Sequence, residues 1–164
     1  MRVPLVPSVS GDELVLEAFC DSDWAGCARS RRSTSGGCIL LEGCVLSAWS
    51  RTQNTVALSS AEAEYVSMTT GATELLWVAH LMSEVGIAVS SPTLWTDSSS
   101  AQSLCLKNVS RVKHMELKYF FLKRLVKKGN VLVRKVAGDQ NPTDILTKPV
   151  TRDVLTLHRH VFAK

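Results

Sequence analysis

Along residues 15–24, VLEAFCDSDW, a mostly apolar run of Val15, Leu16, Ala18, Phe19 and Cys20 gives way at once to two acids, Asp21 and Asp23. A run of that length predicts a buried strand with acids at its end. A loop with three arginines follows, GCARSRRSTSGG. Two further apolar runs, 38–41 and 45–49, are parted by Glu42 and Gly43 and predict a β-hairpin, so the first three strands form an antiparallel meander. The pattern then changes period. Ser59, Ser60 and Glu62 have the character of a helix start, and Tyr65, Met68, Ala72, Leu75, Leu76, Ala79 and Met82 recur at helical spacing. This predicts an amphipathic helix running to about Val85, stopped by Gly86.

Next come a short strand over 92–96 that ends at Asp97, a helix over 98–107, a basic helix over 115–128 closed by Gly129, and a strand within 130–137. A loop over 138–142 precedes a short helix containing Asp144. The order βββαβα(α)βα predicts an α/β fold with a five-stranded mixed sheet, a three-stranded antiparallel meander plus two further strands, and helices on both faces. Residues 1–13 mix Pro, Ser and Gly without a period and are expected to be a leader, with the domain over 14–150. Residues 151–164 are expected to form a tail or terminal helix; His158 and His160 within it suggest no role.

Bulk composition changes this picture only modestly. The 164 residues suit one domain, and 19 Lys and Arg against 15 Asp and Glu leave a formal charge of +4. The excess is concentrated in residues 107–135, where ten basic residues face the single acid Glu116, the footprint of a polyanion binder. Five cysteines without a CxxC pair read as reduced thiols, which implies an intracellular compartment, cytoplasmic or nuclear. No signal peptide or transmembrane run is evident, so no membrane association is expected.

Four elements each deliver an acid near an end: Asp21 after the first strand, Glu62 and Glu64 in the first turns of the long helix, Asp97 after the fourth strand, and Asp144 in the short helix. A cluster of carboxylates disfavours its own ionisation unless a cation neutralises it. Oxygen donors without matching His or Cys favour Mg²⁺ or Mn²⁺ over Zn²⁺. Two such ions can activate water and stabilise a leaving oxygen, which points to phosphodiester hydrolysis.

Six segments, FCDSDWAG, RRSTSGGCILL, SAWSRTQNTVALSSAEAEYVSM, WTDSSSAQSL, VKHMELKYFFLK and GDQNPTDILTKP, resemble in order and spacing the ribonuclease H domain of the Pol polyprotein of copia-type LTR retrotransposons. The resemblance covers residues 17–149. It implies the ribonuclease H fold, cleavage of the RNA strand of an RNA–DNA hybrid, a reverse transcriptase domain as partner in the parent polyprotein, and two-Mg²⁺ catalysis by an Asp, Glu, Asp, Asp set. Matched by motif, these are Asp21, Glu64, Asp97 and Asp144, with Glu62 as the alternative to Glu64. Glu64 is preferred because Tyr65, Val66 and Met68 follow it as the helix's apolar residues; Glu62 can instead serve the helix dipole. The implied roles are Asp21 bridging both ions, Glu64 and Asp97 holding the ion near the leaving group, and Asp144 holding the ion that activates water.

The same resemblance places Ser60 and Ser99 against the RNA strand, although helix capping explains both serines equally well. Arg111, Lys113, His114 and Lys118, with Lys123 and Lys127, would grip backbone phosphates; a solvated basic face is the alternative. The family residue after T-S-G is usually aromatic where this chain has Gly37, and the third acid is commonly followed by Asn where it has Ser98. Neither change removes a ligand. A polymerase normally precedes such domains, so the sequence is expected to be an excised domain, a processed product or a degenerate insertion in a gene. Besides an active nuclease, a nucleic-acid-binding module that cuts poorly and a non-functional retroelement remnant are the remaining readings. Integrases, with a D…D…E order, and proofreading exonucleases, with an opening D-x-E, do not fit.

Overall fold

A computed structural model describes residues 13–106 and 116–163. Five strands, β1 (Leu16–Asp23), β2 (Thr34–Leu41), β3 (Cys44–Thr52), β4 (Thr93–Thr96) and β5 (Leu132–Lys135), form one sheet in the order β3-β2-β1-β4-β5. The meander β1-β2-β3 is antiparallel, and β4 and β5 run parallel to β1. Parallel neighbours need crossovers. These are supplied by α1 (Ser60–Glu84), which returns the chain to β4, and by α2 (Ser99–Leu106) and α3 (Glu116–Lys127), which precede β5. The short α4 (Asp144–Thr147) and α5 (Arg152–Phe162) complete the chain after a 3-10 turn at Gly138–Gln140.

Alternation along β1 assigns the two faces. Leu16, Ala18 and Cys20 are fully buried on the side of α1, while Phe19 looks the other way and meets Leu157 and His158 of α5 across a shared cavity. Helices therefore cover both faces. The main core joins Leu16 and Ile39 of the sheet to Tyr65, Met68 and Leu75 of α1 and Leu122 of α3, all fully buried. The Tyr65 hydroxyl donates to the Tyr119 carbonyl at 3.0 Å and ties α1 to α3. Gly71 sets how closely α1 lies on the sheet, since a Cβ there would be 2.2 Å from Cys20 Sγ and 3.2 Å from Leu94 Cδ1.

Helix α1 starts and stops as the sequence predicts. Ser59 accepts from the Glu62 amide, and the Glu62 carboxylate accepts from the Leu58 amide at 2.8 Å, a reciprocal cap. Gly86, at φ +78°, ends it.

Three boundaries differ from the sequence reading. Strand β1 runs on through its acids, so Asp21 lies inside it, paired with Gly36. The arginine loop is shorter than predicted because β2 begins at Thr34, where pairing with Asp23 holds the chain extended. Strand β5 is limited to four residues, matching the four of β4 with which it pairs. No helix among the described residues is long and apolar enough to cross a membrane.

Candidate active site

The sheet and α1 bring three carboxylates together. Asp21 on β1, Glu64 in the second turn of α1 and Asp97 immediately after β4 each offer an oxygen, and these oxygens lie within 4.8 Å of one another. The Ser67 hydroxyl holds α1 to β1 by donating to the Asp21 carbonyl at 2.7 Å. Glu64 is anchored through one oxygen only: Oε1 accepts from the Ser22 amide at 3.3 Å, while Oε2 is buried without a hydrogen-bond partner among the described residues.

The electrostatics follow from burial and crowding. Burial first, and then Asp21 and Asp97, push the Glu64 carboxyl up to about 8. Burial likewise raises Asp21, against the lowering effects of the Thr147 hydroxyl and Lys148, and Asp97 is raised by burial and by the neighbouring Asp144. A buried acid with an unused oxygen, set between two like charges, is a cation-binding arrangement. An all-oxygen donor set suits a hard divalent ion such as Mg²⁺ or Mn²⁺, so these residues fit the metal that the sequence implies.

Asp144 reaches the same place by a different route. Asn141, fully buried, donates from Nδ2 to the Cys20 carbonyl at 3.1 Å and accepts through Oδ1 from the Thr143 amide at 3.2 Å and hydroxyl at 2.7 Å. That clamp seats α4 against β1 beside Asp21. The partner strand makes room: a Cβ on Gly36 would be 2.6 Å from Thr147 Cγ2 and 3.1 Å from Leu146 Cβ. The Thr147 hydroxyl donates to Asp21 Oδ2. Asp144 stays outside the group of three, its Oδ1 instead 2.9 Å from Lys148 Nζ, which also lies 3.9 Å from Asp21 Oδ2. Burial pulls the Lys148 ammonium down, but Asp144, Asp21 and Asp97 outweigh it and the net shift is upward.

The remaining predicted residues are more scattered. Glu62 serves the N-terminal cap of α1 and is not among the three grouped carboxylates. Ser60 is the exposed first residue of α1, next to the capping Ser59; Ser99, the exposed first residue of α2, accepts from Lys135 Nζ. Lys118 is exposed on α3 and, with Trp49, Arg51 and Gln53, lines a pocket of about 220 Å³. Within it, Trp49 Nε1 has no hydrogen-bond partner among the described residues. Arg111, Lys113 and His114 lie outside the described residues.

Sequence reasoning missed Asn141, Thr143, Thr147 and Lys148, although all four belong to the quoted stretch NPTDILTK. One signal was available for Lys148: its spacing of four from Asp144 puts the two on one face of a helical turn.

The strand order, the two parallel additions to an antiparallel meander and the helices on both faces define a ribonuclease H fold. LC11-RNase H1, isolated from compost, superposes with a TM-score of 0.61 at 15% identity, over 80% of this chain and 91% of that one. The same enzyme in complex with an RNA/DNA hybrid gives 0.60 at 14% identity, over 80% and 93%. No protein-family model matches the chain. In sequence it is 32% identical over 149 residues to the retrovirus-related Pol polyprotein from transposon TNT 1-94 of Nicotiana tabacum, covering 90% of this chain and 11% of the relative. To the corresponding polyprotein from transposon RE2 of Arabidopsis thaliana it is 38% identical over 145 residues, covering 87% and 10%. The chain thus has a ribonuclease H fold and is similar in sequence to retrovirus-related transposon Pol polyproteins, of whose length it spans about a tenth.

Proposed function

We propose that this domain is a divalent-metal-dependent endonuclease that hydrolyses the RNA strand of RNA–DNA hybrids, in the reverse-transcription machinery of a copia-type retrotransposon. The observation that carries the reading is the grouping of Asp21, Glu64 and Asp97 within 4.8 Å, with the buried Glu64 Oε2 left without a partner among the described residues. On this reading Asp21, Glu64 and Asp97 would hold one Mg²⁺, and Asp21 with Asp144 a second; Mn²⁺ would substitute. When bound, such a pair supplies an activated water and charge stabilisation of the leaving oxygen in an in-line displacement.

The chain's own residues do the positioning. Ser67 and Ser22 fix the strand–helix junction that presents Asp21 and Glu64, and Asn141 fixes the segment that presents Asp144. Burial of Asp21 and Glu64, with Asp97 half-buried beside them, would strengthen the charge interactions at the scissile phosphate. Lys118 and Arg51, both exposed on one pocket, are suited to a backbone phosphate; Ser60 and Ser99, exposed at helix starts, are suited to the hydroxyl-bearing strand. The hybrid is the substrate and the reverse transcriptase part of the parent polyprotein the expected partner.

The test is incubation of the purified chain with a labelled RNA–DNA hybrid in Mg²⁺ or Mn²⁺. Cleavage of the RNA strand, abolished by EDTA, is the expected result. Binding of the hybrid without cleavage in either metal would replace this reading with that of a nucleic-acid-binding module.

A further inference from the structure

Lys148 is the cation paired with Asp144, and its place has a consequence for how metal enters. Its Nζ is 2.9 Å from Asp144 Oδ1 and 3.9 Å from Asp21 Oδ2, so it spans the two acids of the proposed second ion position. The same Asp21 oxygen receives the Thr147 hydroxyl. Asp144 is thereby left out of the group formed by Asp21, Glu64 and Asp97, whose oxygens come within 4.8 Å of one another. The two cation positions are thus unequal. One is a set of three carboxylates, two of them buried, with an unused oxygen on Glu64; the other already holds an ammonium.

We propose that Lys148 is a built-in competitor for the second divalent ion. Its ammonium neutralises the Asp21–Asp144 pair in the metal-free protein and must swing aside before that ion binds. The side chain is 40% exposed, so it has solvent to move into, and its contacts with the acids are a close pair with Asp144 and a longer one with Asp21. Rigid neighbours do not need to shift. The first ion, at Asp21, Glu64 and Asp97, therefore binds tightly and the second weakly, and the domain's demand for metal is set by Lys148. This inference rests on the two-ion reading above but concerns a residue outside its ligand set.

The test is Mn²⁺ binding by the full chain, followed by calorimetry and by the electron paramagnetic resonance signal of free Mn²⁺, for the wild type, Lys148→Met and Lys148→Arg. The wild type is expected to take up one tight and one weak ion. In Lys148→Met the weak ion should tighten about fivefold, the scale of one partly exposed charged contact, with the tight one unchanged. Lys148→Arg, which keeps the positive charge, should resemble the wild type. Thermal melting provides a second readout: Lys148→Met should melt lower than wild type without metal, because Asp21 and Asp144 then repel, and Mn²⁺ should recover the loss. If Mn²⁺ binds but Lys148→Met leaves the weak ion's affinity unchanged or lowers it, the competitor role is wrong while the metal site stands. If neither the wild type nor Lys148→Met binds Mn²⁺, the metal site and the competitor role fall together.

Discussion

Asn141 and Cys20 stand 121 residues apart in sequence, yet the amide of the first donates to the backbone carbonyl of the second at 3.1 Å, next to Asp21. With the Thr147 hydroxyl on Asp21, this bond joins the segment carrying Asp144 to the strand carrying Asp21. Asn141→Ala removes it together with the two bonds from Thr143. Loss of about 2–4 kcal/mol in chemical denaturation is expected, with hydrolysis falling about a hundredfold as Asp144 loses its register. An unchanged rate in the folded variant would show that Asp144 is placed by other means.

Glu62 and Glu64 separate cleanly by substitution. Glu62→Ala removes the acceptor for the Leu58 amide and should cost about 0.5–2 kcal/mol of stability with Mn²⁺ affinity intact. Glu64→Gln should do the opposite: it should weaken Mn²⁺ binding and lower hydrolysis about a hundredfold or more, while raising the stability of the metal-free fold at pH 8. Equal Mn²⁺ affinities for the two variants would argue against Glu64 as a ligand.

Metal and pH are linked through the same residue. The folded Glu64 carboxyl titrates near 8 against an ordinary value of 4.5, so between those values the folded state holds a proton that the unfolded state has released. Stability of the metal-free protein therefore falls as pH rises through that window, and the upward shifts of Asp21 and Asp97 act in the same direction. Melting temperatures measured from pH 5 to pH 8.5 should decline without metal. With saturating Mn²⁺, which binds the ionised acids, the decline should flatten or reverse. A metal-free melting temperature that rises across the window would contradict the burial of an uncompensated acid cluster.

Gly36 tests the contact between β2 and α4. A Cβ there would be 2.6 Å from Thr147 Cγ2, inside the closest approach of real carbon atoms. Gly36→Ala is expected to push α4 outward at a cost of about 1–3 kcal/mol and to weaken the Thr147 bond to Asp21. Reduced hydrolysis, with hybrid affinity changed less than the rate, is the expected pattern in steady-state kinetics.

What the sequence revealed was what repeats along the chain. The apolar spacing from Tyr65 to Met82 and the Ser59–Glu62 cap mark α1 without reference to anything distant. The runs in β1 to β3 mark the meander in the same way. Strand ends were less legible, because Asp21 and Ser35 are held extended by cross-strand pairing rather than by their own preferences. The acids stood out as a set since each lies near an end of an element that the pattern predicts. The clamp by Asn141 did not, for its partner is the backbone of Cys20, and of the two acids that Lys148 meets only Asp144 is local, Asp21 lying more than 100 residues earlier. Local pattern carries no information about such partners.

The measurement that bears most directly on the account is cleavage of a hybrid with both strands labelled, comparing the wild-type chain with Asp97→Asn in Mg²⁺ and in Mn²⁺. The grouping of Asp97 with Asp21 and Glu64 predicts that the wild type cuts the RNA strand alone and that Asp97→Asn, folded and still able to bind the hybrid, does not. Cutting by Asp97→Asn at the wild-type rate, or cutting of the DNA strand, would contradict it.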